Sequence, residues 1–236
     1  MYGYPEYVSV AEKKEKAKRQ IEKLKKKNPY LAPVVIEGKN IANTWWGIAW
    51  NKNLESYADY ASRISRGRSY VKNGAVLDLK IETGIVSALV QGSGKKPYCV
   101  EIKILPLSSE KLDSILNLCN SRIDNLAELL EGKFPKELEE IFKLKDKGLF
   151  PSPKEIKFSC DCFDWASMCK HVTAVLYGIG ARFDEDPTLF FKLRNIDFEV
   201  LIKKTIEQKM QSLLENSDKK SQRVLEDADI NGLFGI

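Results

Sequence analysis

The segment Phe158-Ser159-Cys160-Asp161-Cys162-Phe163-Asp164-Trp165-Ala166-Ser167-Met168-Cys169-Lys170-His171 governs how the rest of this chain is read. It holds three of the five cysteines and the only histidine among 236 residues, in the arrangement C-x-C-x6-C-x-H. Zn²⁺ takes thiolate and imidazole ligands, and a structural site closes with four of them in a tetrahedron. Residues 156–162 read as extended. Side chains two apart on a strand share a side, so Cys160 and Cys162 can face one ion. Positions two apart on a helix diverge, which places Cys169 in the turn before a helix and His171 in its first turn. From His171 onward, Val172, Val175, Leu176 and Ile179 fall at helical spacing. The segment therefore predicts a short hairpin and a helix clamped by one metal.

Three core thiols and a packed histidine gathered by chance are the competing explanation, since free cysteine is often only a small core residue. Against it stands the confinement of the sole histidine and most cysteines to one short segment. An S₃N donor set favours zinc over harder ions, and four protein ligands leave no open position for a catalytic water. The expected cofactor is one structural zinc on Cys160, Cys162, Cys169 and His171. Cys99 and Cys119 fall on other patterns, Cys99 beside Glu101 and Lys103 on a strand face and Cys119 on an apolar helix stripe.

Composition agrees with a folded protein: 43% of residues are hydrophobic and 30% charged. No uncharged apolar run approaches the ~20 residues that span a bilayer. An odd cysteine count and an N-terminus without an apolar signal core argue against a disulfide framework, so a cytoplasmic protein with no membrane role is expected. The net charge of +5 is uneven. Residues 12–27 hold nine Lys/Arg and three Glu, while the remainder has 29 basic and 30 acidic residues. The body is close to neutral and one arm carries the excess, either as a phosphate- or partner-binding arm or as a solvated helix.

Along the chain, Asn28-Pro29 ends the arm. A helix starting near Asn43 or Thr44 carries Trp46, Trp50, Leu54 and Tyr57 as core rather than as a stacking surface. A meander follows: Ser69–Lys72 leads into Asn73-Gly74, read as a hairpin turn. Leu77, Leu79 and Ile81 alternate with polar residues, Thr83-Gly84 turns into Ile85–Gln91, and Tyr98–Ile104 is a further strand. Three helices are expected over 108–148, the first striped by Leu112, Ile115, Leu116 and Cys119. Leu149–Pro153 reads as a linker, Asp186-Pro187 and Asp197 as helix starts, and Leu233–Ile236 as an apolar end to a polar tail.

In these stretches the chain resembles the prokaryotic SWIM zinc-finger proteins. The resemblance rests on the C-x-C-x6-C-x-H segment and on Thr44–Trp50, Arg66–Tyr70, Gly74–Leu79, Val90–Ser93, Pro97-Tyr98 and Asp186–Arg194. It covers roughly residues 40–198. It implies the same four ligands, DNA or other nucleic acid as a partner, and association with a Swi/Snf-type helicase-like ATPase or a RecA-like recombinase.

Enzymatic motifs are missing. Gly92-Ser93-Gly94-Lys95-Lys96 lacks the distal Gly and following Ser/Thr of a phosphate loop, their places being held by Leu89 and Lys96. Histidine-dependent hydrolysis needs a histidine that is not committed to a metal. The expectation is thus a non-enzymatic α+β protein: an antiparallel meander with helices, then a zinc-clamped hairpin and helix, then C-terminal helices. Its parts are a basic arm (1–28), a body (29–150), the finger with its helix (151–198) and a helix with tail (199–236). The expected function is a zinc-binding accessory protein that contacts nucleic acid through Lys157, Trp165 and Lys170 and partners an ATPase. The alternative is a pure protein-interaction adaptor without its own DNA contact.

Overall fold

A computed structural model describes residues 8–56, 61–113 and 148–197, residues 139 and 142, and single helical positions between 199 and 214. Contacts divide the chain into two units, Met1–Phe198 and Glu199–Ile236. In the second unit the described positions are helical, and Met210 and Leu214 are exposed. The following concerns the first unit.

Helix α1 (Val10–Lys25) opens on a capping box: Ser9 accepts from the Glu12 backbone N–H, and Glu12 accepts from that of Ser9. With almost no apolar stripe, it buries only Ala17. Helix α2 (Trp45–Glu55) is capped by Thr44 and buries Gly47, Ala49, Trp50 and Leu54. Trp50 is fully buried, its indole N–H donating to the Leu176 carbonyl at 3.0 Å, so the core reading of this tryptophan holds.

The stretch 69–72 departs from the expected meander. It is the last turn of helix α3 (Ala61–Lys72), and Asn73-Gly74 closes that helix rather than turning a hairpin. Gly74 sits at φ +70, and glycine in the left-handed region ends a helix as readily as it turns a strand pair. Arg63, Arg66, Arg68 and Lys72 therefore lie on a helix.

Four strands form one antiparallel sheet in the order β1 (Val76–Glu82), β2 (Ile85–Val90), β3 (Tyr98–Ile104) and β4 (Ile156–Cys160). The register places Leu79 opposite Ala88, Ala88 opposite Val100 and Val100 opposite Cys160. One face thus carries Leu79, Ile81, Val86, Ala88, Val90, Val100, Ile102 and Ile104, all buried, and the other carries Lys80, Glu82, Ser87, Cys99 and Lys103, all exposed. That alternation suits an antiparallel sheet covered on one side.

The cover is helix α4 (Lys170–Glu185), twelve of whose sixteen residues are buried. A helix apolar on nearly every side belongs in the middle of a fold, and α4 packs on the sheet, α2 and α3. Helix α5 (Thr188–Leu193) follows and adds Phe190 and Phe191 to an aromatic cluster with Trp50, Phe142, Phe150 and Phe183.

Two expectations need correction. Residues 161–169 contain no strand, and the partner of β4 is β3, so the metal segment is not a local hairpin. It is built into the sheet of the body instead of being appended to it. Leu149 and Phe150, expected in a linker, are buried. The helices expected over 114–147, with Ile115, Leu116 and Cys119, and the tail 215–236 lie outside the described residues, apart from helical positions 139 and 142.

Candidate metal centre

Three elements bring the ligands together. Cys160 ends β4 on the sheet face that α4 covers. Asp161 still donates its backbone N–H to the Cys99 carbonyl of β3 at 3.3 Å, and Cys162 follows it in a bend. Cys169 is the N-cap of α4, its sulfur accepting from the Val172 N–H at 3.5 Å, and His171 lies in the first turn. The helix thus begins where the sequence places it.

The donor atoms of Cys160, Cys162, Cys169 and His171 all lie within 4.8 Å of one another, with His171 and Cys169 buried. His171 presents Nδ1, 3.8 Å from Cys160 Sγ and 3.9 Å from Cys169 Sγ. A tetrahedral zinc with ordinary Zn–S and Zn–N bonds has S···N edges of about 3.6 Å and S···S edges of about 3.8 Å. These residues lie close enough to hold a metal ion, and the S₃N set fits zinc.

The thiols are unequal before any metal arrives. The thiol of Cys160 donates to Cys169, and the His171 contact and the Val172 N–H add to this, pulling Cys169 down to about 4 despite its burial. The same bond, with burial, pushes Cys160 up. Burial raises Cys162. These contacts favour the thiolate at Cys169, which sits at the N-terminus of α4, over those at Cys160 and Cys162.

A second layer, not legible as part of the site in sequence, holds the imidazole. The ring of Tyr98 stacks on His171 with centroids 4.3 Å apart, and Tyr70 meets it edge-on at 5.5 Å. His171 Nε2 is buried without a hydrogen-bond partner, so stacking orients the ring where a hydrogen bond usually does. Gly92 permits this. A Cβ there would collide with the Tyr98 ring and come 3.2 Å from His171 Nε2. Gly92→Ala is therefore expected to shift both rings and weaken zinc binding about tenfold, as loss of an outer-shell partner does. Competition with a chromophoric chelator measures it, and unchanged affinity removes the ring stack from the account of the site.

The loop between Cys162 and Cys169 is tied to α3. Arg63 makes two bonds to Asp164, 2.8 and 3.2 Å, and its guanidinium lies 5.5 Å from the centroid of the Trp165 ring. Trp165 is nevertheless 80% exposed, and Phe163 wholly so at 101%. Trp165, Lys157 and Lys170 are candidates from sequence, and Lys157 is exposed on β4. Phe163 is missed, although an aromatic beside a ligand in a short polar loop is itself a signal. Lys95 lines a shallow groove with Lys16, Arg19 and Lys23 of α1.

Fold and site define an α+β protein with a four-stranded antiparallel sheet and a Cys₃His cluster at its edge. No family model matches the chain, and no solved structure matches it. Over 163 residues it is 34% identical to a protein of Mycobacterium tuberculosis described as "Uncharacterized protein Rv2102". The match takes in 69% of this chain and 58% of that protein, so the chain spans less than two thirds of its relative's length. Among the described residues, no helix is long and apolar enough to cross a membrane.

Proposed function

We propose that this chain is a non-enzymatic SWIM-type zinc module that binds nucleic acid and serves as the accessory partner of a helicase-like ATPase. The observation carrying this reading is the exposure of Phe163 and Trp165 on a loop held at both ends by the thiol cluster and clamped to α3 by Arg63. Large aromatic side chains held in water by a rigid loop suit stacking on unpaired bases, worth about 1–3 kcal/mol per base. Arg66 on α3 and Lys170 beside the loop supply positive charge for the backbone. Zinc, once bound, fixes the loop; the ligands touch no partner.

The experiment is an affinity titration of zinc-loaded protein against single- and double-stranded DNA over a range of salt. Phe163→Ala with Trp165→Ala is expected to weaken single-strand binding at least tenfold, with the salt slope nearly unchanged because no phosphate contact is lost. Equal affinity of this variant and the parent would falsify the stacking role. Absence of binding to either nucleic acid at moderate salt sinks the DNA reading and leaves the adaptor, for which the same exposed aromatics are the docking surface.

A further inference from the structure

The pairing of β4 with β3 leaves one side of β4 open. Leu105 donates to the Glu155 carbonyl at 2.9 Å, and Asp161 donates to the Cys99 carbonyl at 3.3 Å. The register sets Lys157 and Ser159 at the bonded positions between them. Bonded and non-bonded pairs alternate along an antiparallel ladder, so Ile156, Phe158 and Cys160 turn their N–H and C=O groups away from β3. The Ile156 N–H returns to the Pro153 carbonyl. Among the described residues, nothing meets the backbone N–H and C=O groups of Phe158 and Cys160. Both residues are half-buried, while Lys157 and Ser159 are exposed.

Elsewhere the backbone around the sheet is closed. On the far side of β1, Val34 donates to the Val76 carbonyl at 3.1 Å, and Leu79 donates to the Ala32 carbonyl at 2.9 Å. After β2, Lys16 Nζ gathers the carbonyls of Gly92, Ser93 and Gly94 at 3.3, 2.9 and 3.0 Å. The β4 edge has little to guard it: its five residues hold no proline and no register shift, and Lys157 is their one charge. Unpaired groups on an extended strand suit one kind of partner, another extended backbone.

The flanking side chains decide which backbone. Antiparallel pairing of β4 with itself is an isologous contact, so one strand supplies both surfaces. A two-fold axis at Lys157 would set lysine against lysine. An axis at Phe158 would set Glu155 against Asp161 of the second copy. An axis at Ser159 sets Lys157 against Asp161 of the second copy, and symmetry repeats the pair. Opposite charges facing across a strand pair stabilise it, and like charges destabilise it. With the axis at Ser159, Phe158 of each copy exchanges both hydrogen bonds with Cys160 of the other. Lys157 makes no ion pair among the described residues. Asp161 is exposed, one of its oxygens accepting from the Cys99 N–H at 2.9 Å. We infer that the open edge of β4 is a homodimer interface, joining the sheets of two copies about a two-fold axis at Ser159. Nucleic acid has no part in it.

The test uses the full-length, zinc-loaded chain with a thiol reductant and without nucleic acid. Sedimentation velocity from micromolar to millimolar protein reads the mass, and amide hydrogen exchange at both ends of that range reads the edge. The expected result is a concentration-dependent dimer in which the Phe158 and Cys160 amides exchange more slowly than in the dilute chain. Lys157→Glu and Asp161→Lys should each weaken dimerisation at least about tenfold, because each sets like charges opposite one another at both symmetry-related places. Within one copy, Lys157→Glu faces Lys103 of β3, so it does not weaken the fold. Mixed in equal amounts, the two variants should pair again, since every contact between positions 157 and 161 then joins opposite charges. A mixture that stays monomeric overturns the axis at Ser159. A dimer that both variants keep, or one whose Phe158 and Cys160 amides gain no protection, overturns the interface. A parent chain that is monomeric throughout overturns self-pairing and leaves the edge to a strand of another protein.

Discussion

Replacing Cys169 with serine is expected to reduce bound zinc from one per chain to a small fraction of that. The affinity loss should exceed the roughly 10–100-fold that removal of an outer-shell partner costs, because this sulfur is one of the four clustered donor atoms and caps α4 as well. The structural consequence should be local. Helix α4 is buried against α2, α3 and the sheet by contacts that need no metal, so helix and sheet content should survive. Residues 161–168 have no strand or helix of their own and should become the first point of proteolysis. Metal analysis, circular dichroism and limited digestion read the three consequences separately. A variant that keeps one tightly bound zinc dismisses Cys169 as a ligand. Global unfolding would mean that zinc-binding energy is folding energy for the whole unit, as in isolated zinc fingers.

The second large effect lies far from the metal. Arg194 is completely buried; it donates to Glu155 at 2.8 Å and to the Leu105 carbonyl at 2.8 Å. It thereby joins the end of α5 to the end of β3 and to the turn entering β4. Removing one partner of a buried pair costs about 3–5 kcal/mol when the other charge is left bare; Glu155 keeps the two bonds from Ser152 and Lys111 at 3.6 Å, so the lower end of that range applies. Arg194→Met should therefore lower the melting temperature by about 10 °C for a domain of this size. Adding Glu155→Gln should restore part of the loss, since a carboxylate that has lost its closest cation is then gone. Equal melting temperatures for the single and double variants would show that the arginine acts only by packing.

The same pair sets an acid limit. Burial works to raise the carboxyl of Glu155, but the hydrogen bond from Arg194 and those from Ser152 outweigh it and hold the group at about 2, below its ordinary 4.5. A lowered folded-state value means stability that is complete above 4.5 and lost as pH falls from there towards 2. Acid titration of Glu155→Gln should lack this component of the loss over that window.

The strands were readable because they alternate apolar and polar residues over a covered and a solvated face, as Val100, Ile102 and Ile104 do against Cys99, Glu101 and Lys103. The four candidate ligands were readable because chemistry restricts which side chains hold zinc and because their spacing is local. What surrounds them is not local. Gly92, Tyr98 and Tyr70 reach His171 from the end of β2, the start of β3 and α3, and no spacing rule links residues that distant. Helix α3 was misread because Asn73-Gly74 satisfies a hairpin and a helix terminus equally, and the arginine-rich run before it has only a weak apolar stripe. The partner of β4 was misassigned for a related reason. A strand ending in a ligand pair suggests a local hairpin, whereas the apolar face of Ile156 and Phe158 is satisfied by β3 across a long connection.

The grip of Lys16 on three successive carbonyls changes what the N-terminal helix is for. A lysine that gathers a backbone turn works as a rivet, and it joins the chain's first helix to the loop that contacts the histidine. Cutting the chain at Pro29 would remove more than cations. It would release the carbonyls of residues 92–94 and leave Gly92 free to move relative to the imidazole it adjoins. Electrostatic questions about this helix are therefore better put by reversing single exposed lysines than by deletion, and its integrity should register as far away as the spectrum of a cobalt-substituted metal site.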